Sequence, residues 1–226
     1  MSGKHPAPGL PTDERAVAWQ AASLLLDYPD EILLSRLDLI SSLAERLPGA
    51  VGDPLRATIR ELESSSLPAL QQEYVETFDT RRRHNLFLTY FAHGDTRRRG
   101  VALLRFKQTY LRSGFILDES ELPDHLCVVL EYAATVDQRL GWGLLLDHRA
   151  GLELLRLSLA DAGSKWLGAL EAVTATLPPL RGDEWAAIQR LAAEGPPQEE
   201  VGLTPYATPA FDPVTLPMPT FPGARR

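Results

Sequence analysis

"DEILLSRLDLISSLAERLPGA", residues 30 to 50, sets Leu33, Leu37, Ile40, Ala44 and Leu47 at intervals of three and four. That spacing draws one apolar stripe down an α-helix, whereas a half-buried strand would need every second residue. Asp30 stands where a helix cap belongs and follows Pro29, which ends the helix before it; Pro48 and Gly49 close the stretch. Upstream, Val17, Ala21, Leu24 and Leu25 share a face of a helix that ends near "LLLDYPD". Downstream, "DPL" at 53 to 55 reads as a cap followed by proline at the first helical position, opening a helix with Leu55, Ile59 and Leu62. "LPALQQEYVETFD" (67 to 79) aligns Leu67, Leu70, Tyr74 and Phe78, and a further helix runs from Asp95 or Thr96 to a glycine cap at Gly114.

The second half repeats the pattern. "ELPDHLCVVLEYAAT" (121 to 135) opens a helix with Pro123 at its first position, and "LGWGLLLDHRAGLELLRLSLADAG" (140 to 163) supplies one or two more. "SKWLGALEAVTATLP" aligns Trp166, Leu170, Val173 and Leu177, and "DEWAAIQRLAAEG" is a last amphipathic stretch. Sustained two-residue alternation is missing, so no sheet is expected. The sequence therefore predicts an all-α fold: a single compact multi-helix domain over residues 12 to 194, preceded by a disordered N-terminus over 1 to 11. Residues 195 to 226 hold eight of the chain's 18 prolines and read as an extended or disordered Pro-rich C-terminal tail.

Bulk composition narrows the function classes. The 226 residues are 44% apolar, enough to bury a core, and carry 23 basic against 30 acidic side chains for a net charge of −7. An acidic balance argues against general nucleic-acid binding and suits a basic partner. No apolar run approaches the roughly 20 residues that span a bilayer, so direct membrane insertion is not expected. The opening "MSGKHPAPGLPTDERAVAWQ" lacks the order of a secretory signal and predicts a cytoplasmic protein. One cysteine, Cys127, sits in the apolar "HLCVVLEY" and reads as a small buried hydrophobe.

Catalytic signatures are scarce. The five histidines form no metal-protease spacing, and neither a phosphate loop nor a nucleophile elbow is present. Glu121, His125 and Glu131 could be imagined around a metal, but Pro123, Glu121 and Asp124 are explained more simply as helix-start chemistry. No cofactor and no enzyme activity is expected. A metal-dependent enzyme using His84, His93 or His125 remains one rival, and a nucleic-acid binder using arginine runs another.

Those runs flank an apolar segment in "FDTRRRHNLFLTYFAHGDTRRRG", residues 78 to 100. Arg81, Arg82 and Arg83 follow a helix end, where positive charge is favourable. Arg97, Arg98 and Arg99 fall in a first helical turn, where cations are disfavoured by about 0.3–1 kcal/mol each, so carboxylates of the same chain are expected to compensate. Between the runs Leu86, Phe87, Tyr90 and Phe91 fit a short buried helix.

Four blocks occurring in order, "LLLDYPDE" (24 to 31), "EYVETFD" (73 to 79), "LTYFAHGDTRRRG" (88 to 100) and "ELPDHLCVVLEYAA" (121 to 134), resemble the NarJ family of nitrate reductase assembly chaperones. The resemblance spans about half of the chain. It implies an all-α fold shared with the TorD/DmsD-like redox-enzyme maturation chaperones, and a system-specific, non-enzymatic role. Its partner would be the N-terminal segment of the apo catalytic subunit of respiratory nitrate reductase, held in the cytoplasm while the molybdenum cofactor is inserted, with molybdenum-cofactor biosynthesis proteins as further partners. An acidic helical domain with an apolar groove suits a basic amphipathic helix. On that expectation Tyr74, Phe78, Tyr90, Phe91 and Tyr132 make apolar contacts. Glu76, Asp79, Glu121, Asp124 and Glu131 make charged contacts or pair with the arginines. Pro123, His125, Asp95, Arg97 and Arg99 form a structural motif, with His125 hydrogen-bonded at its pivot.

Overall fold

Asp30 does what its position predicts: its Oδ1 accepts the Leu33 amide at 2.7 Å and starts a helix whose Leu33, Leu37, Ile40 and Ala44 are buried. The structure, a computed structural model, describes residues 10–118 and 121–194. Helix α1 is Thr12–Leu26, α2 Glu31–Ala44, α3 Gly49–Glu63 and α4 Leu67–Tyr74. A single π turn, Val75–Asp79, prolongs α4, and a 3-10 turn follows at Arg82–His84. Next come the one-turn α5 Tyr90–His93, α6 Arg97–Arg112, α7 Leu126–Thr135, α8 Gln138–Asp147, α9 Arg149–Asp161, α10 Leu167–Thr176 and α11 Gly182–Glu194. Among the described residues there is no strand, only an isolated antiparallel bridge between Phe87 and His125. No helix among them is long and apolar enough to cross a membrane. The segments read as a disordered N-terminus and a Pro-rich tail lie largely outside the described residues.

One continuous cluster of buried side chains runs from Ala18 to Leu177. The α10 helix lies along α3 and α1, while α1 also lies along α7. Close approach of α3 and α10 depends on Gly168, where a Cβ would fall 2.2 Å from the Pro54 carbonyl oxygen. The Ala169 amide beside it donates to Thr58 Oγ1 at 3.0 Å. Trp19 and Trp166 are fully buried, and the Trp19 indole N–H donates to Thr176 Oγ1 at 2.9 Å. Gly114 ends α6 in the left-handed conformation (φ 73°) expected of a helix-terminal glycine.

Three boundaries differ from expectation. The α3 helix begins four residues before Asp53, because the Pro48 carbonyl already accepts the Val51 and Gly52 amides, so Pro54 lies inside the helix rather than at its start. The α7 helix begins at Leu126, and Pro123 sits in the preceding turn. Residues 86 to 89 are not a buried helix. Leu86 to Leu88 pair through their backbone with 124 to 126, Leu88 and Thr89 turn the chain, and the helix itself starts at Tyr90.

Candidate functional site

The extended piece and the turn before α7 bring the "LTYFAHGDTRRRG" and "ELPDHL" blocks together. The Leu88 amide donates to the Asp124 carbonyl and the Leu126 amide to the Leu86 carbonyl, both at 2.9 Å. This pairing carries the Asp124 carboxylate, fully buried, under Thr89. Its Oδ2 accepts the Thr89 hydroxyl at 2.5 Å and the Thr89 amide at 3.2 Å. Arg99 closes the arrangement from α6. Its Nε donates to Thr89 Oγ1 at 3.3 Å, its Nη2 lies 3.7 Å from Asp124 Oδ2, and its Nη1 lies 3.5 Å from Asp95 Oδ1. The same guanidinium stacks over Phe87 at 5.2 Å, and Phe87 meets the His125 ring edge-on at 5.1 Å. From further along α6, the Tyr110 hydroxyl donates to the Pro123 carbonyl at 2.6 Å. Burying a carboxylate is costly unless donors and an opposite charge answer it. In this latch Thr89 gives two hydrogen bonds to Oδ2 and Arg99 the charge, while Oδ1 has no hydrogen-bond partner among the described residues.

The second arginine run is therefore split. Arg99 turns inward onto the chain's own carboxylates, as expected, while Arg97 and Arg98 are exposed, as are Arg81, Arg82 and Arg83. Asp95, Arg99 and Asp124 share the latch. Pro123 is buried at its edge, and His125 is half-buried against Phe87. Burial lowers the His125 pKa below its usual value, against the pull of Asp27, Glu121 and Asp124, so its ring favours the neutral form.

The five aromatic residues expected at a client surface are all buried, and so lie beneath the surface rather than on it. Tyr74, Phe78 and Trp166 form one cluster, with centroids 4.7 to 5.5 Å apart, and the Tyr74 hydroxyl donates to the Leu26 carbonyl at 3.0 Å. Tyr132 packs on Tyr110 and bonds Ser113 at 2.5 Å; Tyr90 and Phe91 sit together edge-on. Their residue types marked them for contact, but the same helical stripe that aligned them also buries them. Above the cluster, the exposed ring of Tyr28 stacks edge-on against Tyr74 at 5.4 Å; Val75, which follows Tyr74 in the chain, is exposed as well. Glu76, Asp79, Glu121 and Glu131 are exposed, and Asp124 is not. Burial first, then the charges of Cys127, Asp27 and Asp79, raise the Tyr74 phenol above its usual value.

Sequence reasoning missed Thr89, Tyr110, Asp27 and Tyr28. Thr89 and Tyr28 lie within the blocks already singled out, but only the fold shows which side chain turns in or out. Tyr110 carried no local signal beyond its place on a helix face. Cys127 is buried, and burial raises its thiol well above the usual value. His84 is also buried, its ring nitrogens 3.0 and 3.3 Å from the Thr77 and Ser158 carbonyls. Among the described residues no group of three His, Cys, Asp or Glu side chains is placed to hold a metal ion. A cleft of about 540 Å³, remote from the latch, opens between α3, α9, α10 and α11 and includes Arg149, Glu153, Arg156 and Trp185.

Residues 44–172, which contain the whole latch, match the family model described as nitrate reductase delta subunit. The chain belongs to the nitrate reductase delta subunit family. Within it, the chain is 39% identical over 160 residues to the nitrate reductase-like protein NarX of Mycobacterium tuberculosis, a match covering 71% of this chain and 24% of NarX. The chain thus spans about a quarter of that relative's length. It is 38% identical over 127 residues to NarJ of Bacillus subtilis, whose name is that of a nitrate reductase molybdenum cofactor assembly chaperone; 56% of this chain and 69% of NarJ are covered. A crystal structure of a redox enzyme maturation protein from Archaeoglobus fulgidus shares the fold, with a TM-score of 0.52 and 22% identity over 76% of this chain and 96% of that one. This delta-subunit member is all-α, like that structure.

Proposed function

We propose that this delta-subunit family member is a non-enzymatic, cytoplasmic chaperone for a nitrate reductase, and that it holds the N-terminal segment of the apo catalytic subunit while the molybdenum cofactor is inserted. One observation carries the client surface. Exposed Tyr28 stacks on Tyr74 of the buried Tyr74–Phe78–Trp166 cluster, exposed Val75 follows Tyr74 along the chain, and exposed Asp27, Glu76 and Asp79 lie within a few residues of one or the other in sequence. Exposed Glu121, in the turn before α7, and exposed Glu131, on α7, are further carboxylates for a basic client to meet. A helix with an apolar stripe and basic flanks fits such a surface by shape and by charge. Kinship to NarJ supports the choice of client. In this reading the buried aromatics support the surface from below, the latch holds the turn before α7 in place, and molybdenum-cofactor biosynthesis proteins act on the client while it is held.

Calorimetric titration with a synthetic peptide of the cognate catalytic subunit's N-terminus tests this. The expected result is saturable one-to-one binding with a negative heat-capacity change, weakened by salt and absent for a charge-reversed peptide. Absence of saturable binding at low salt would overturn the client assignment.

A further inference from the structure

The outward faces of α2 and α6 are both partly apolar, and each carries a line of like charges; the two lines are opposite in sign. On α6, Val101, Leu104 and Leu111 are 58, 57 and 61% exposed, and exposed Arg98, Arg105 and Arg112 stand beside them at intervals of seven. The helix contains no carboxylate, although the chain as a whole is net −7. On α2, Ile32 and Leu39 are 56 and 61% exposed, and Glu31, Asp38 and Glu45 keep the same interval of seven. None of these six charges forms an ion pair among the described residues. Seven residues is nearly two full turns, so each line runs along its helix with only slight drift.

Residue order fixes the direction in which the two faces match. On α2 Glu31 and Asp38 each precede an aliphatic neighbour by one position, Ile32 and Leu39, while Glu45 precedes Arg46. On α6 Arg105 and Arg112 each follow a leucine by one, Leu104 and Leu111, while Arg98 follows Arg97. In a heptad these are the g and e positions, which meet across an interface when the helices run parallel. With Leu39 set against Val101, Glu31 faces Arg98, Asp38 faces Arg105 and Glu45 faces Arg112.

We propose that the occupant of each face is a second copy of this chain, with α6 of one copy packed parallel to α2 of the other. The contact joins unlike faces, so it closes as a dimer when each copy offers both to its partner, and otherwise extends head to tail. This inference stands independently of the client reading.

Sedimentation of the full chain over a range of concentrations, at low and at raised salt, is the first measurement. Self-association that salt reverses is expected. Arg105→Glu and Asp38→Arg should each weaken it by about tenfold or more, and the chain carrying both, which restores opposite charges, should recover most of it. An equimolar mixture of Arg105→Cys and Asp38→Cys chains should form a disulfide-linked dimer under mild oxidation that neither forms alone, since buried Cys127 does not compete. A chain that is monomeric at every concentration, a double reversal that recovers nothing, or a mixture that fails to cross-link would each overturn the proposal. If Arg105→Glu leaves self-association unchanged and weakens the hold on the client peptide, the ridge belongs to that peptide and the proposal falls.

Discussion

Asp124 sits in a fully buried position that a carboxylate occupies only when its charge is answered, and Thr89 and Arg99 answer it. Asp124→Ala leaves the largely buried Arg99 facing only Asp95 and should lower the unfolding free energy by about 3 kcal/mol, read as a drop in urea midpoint. Arg98→Ala, one residue from Arg99 but exposed, should change it by no more than about 0.5 kcal/mol. Histidines set the response to acid. Burial lowers the pKa of His125 and of His148, whose Nδ1 bonds the Leu144 carbonyl at 2.8 Å. Each unfolded ring therefore takes up its proton at a higher pH than the folded one. As pH falls below the usual value of 6.5 the unfolded state binds more protons, and stability declines from there toward the depressed folded values. Urea titrations across this window should show that slope, and a His125→Asn/His148→Asn chain should flatten it.

At the scale of elements, what the sequence revealed depended on whether a rule was local. The Asp30 cap, the Gly114 terminus and the stripe of Leu70, Tyr74 and Phe78 follow from neighbours a turn away, and they are present in the structure. The 86 to 89 segment has helical composition but forms a bridge at Phe87 and a turn at Leu88 and Thr89, because its hydrogen bonds go to the turn before α7. Pro123 and Asp124 look like a helix start, yet the carboxylate is taken by Thr89, and the helix waits until Leu126. The compensation expected for arginines in a first helical turn is realised for Arg99, but the pairing with Asp124 joins segments that no local pattern connects. Glycines divide in the same way. Gly168→Ala would press a methyl group onto the Pro54 carbonyl and should destabilise the α3–α10 contact by roughly 1–3 kcal/mol. Gly143 on α8 faces open space, and Gly143→Ala should stabilise by about 0.5–1 kcal/mol. Thermal melts of the two variants should move in opposite directions.

Over the whole molecule, the latch ties Thr89 to Asp124 across 35 residues, and the chain between them includes α5 and α6. The core helices α1, α3, α7 and α10 pack mainly on one another. The excursion is therefore a closed ring whose ends are held by side-chain and backbone hydrogen bonds, and such a ring can open as a cooperative unit while the rest stays folded. Native-state hydrogen exchange should find the α6 amides protected to a common, lower opening energy than those of α10. Asp124→Asn, which breaks the latch in the native state, should speed the α6 amides as a group and lower the opening energy of α10 by the same amount. Amides of α6 that exchange only through the global opening that exposes α10 would mean that the ring does not open separately. If α6 leaves as a unit, its arginine ridge and the turn before α7 are set free by the same event, and the lifetime of the ring would limit how long either surface is presented.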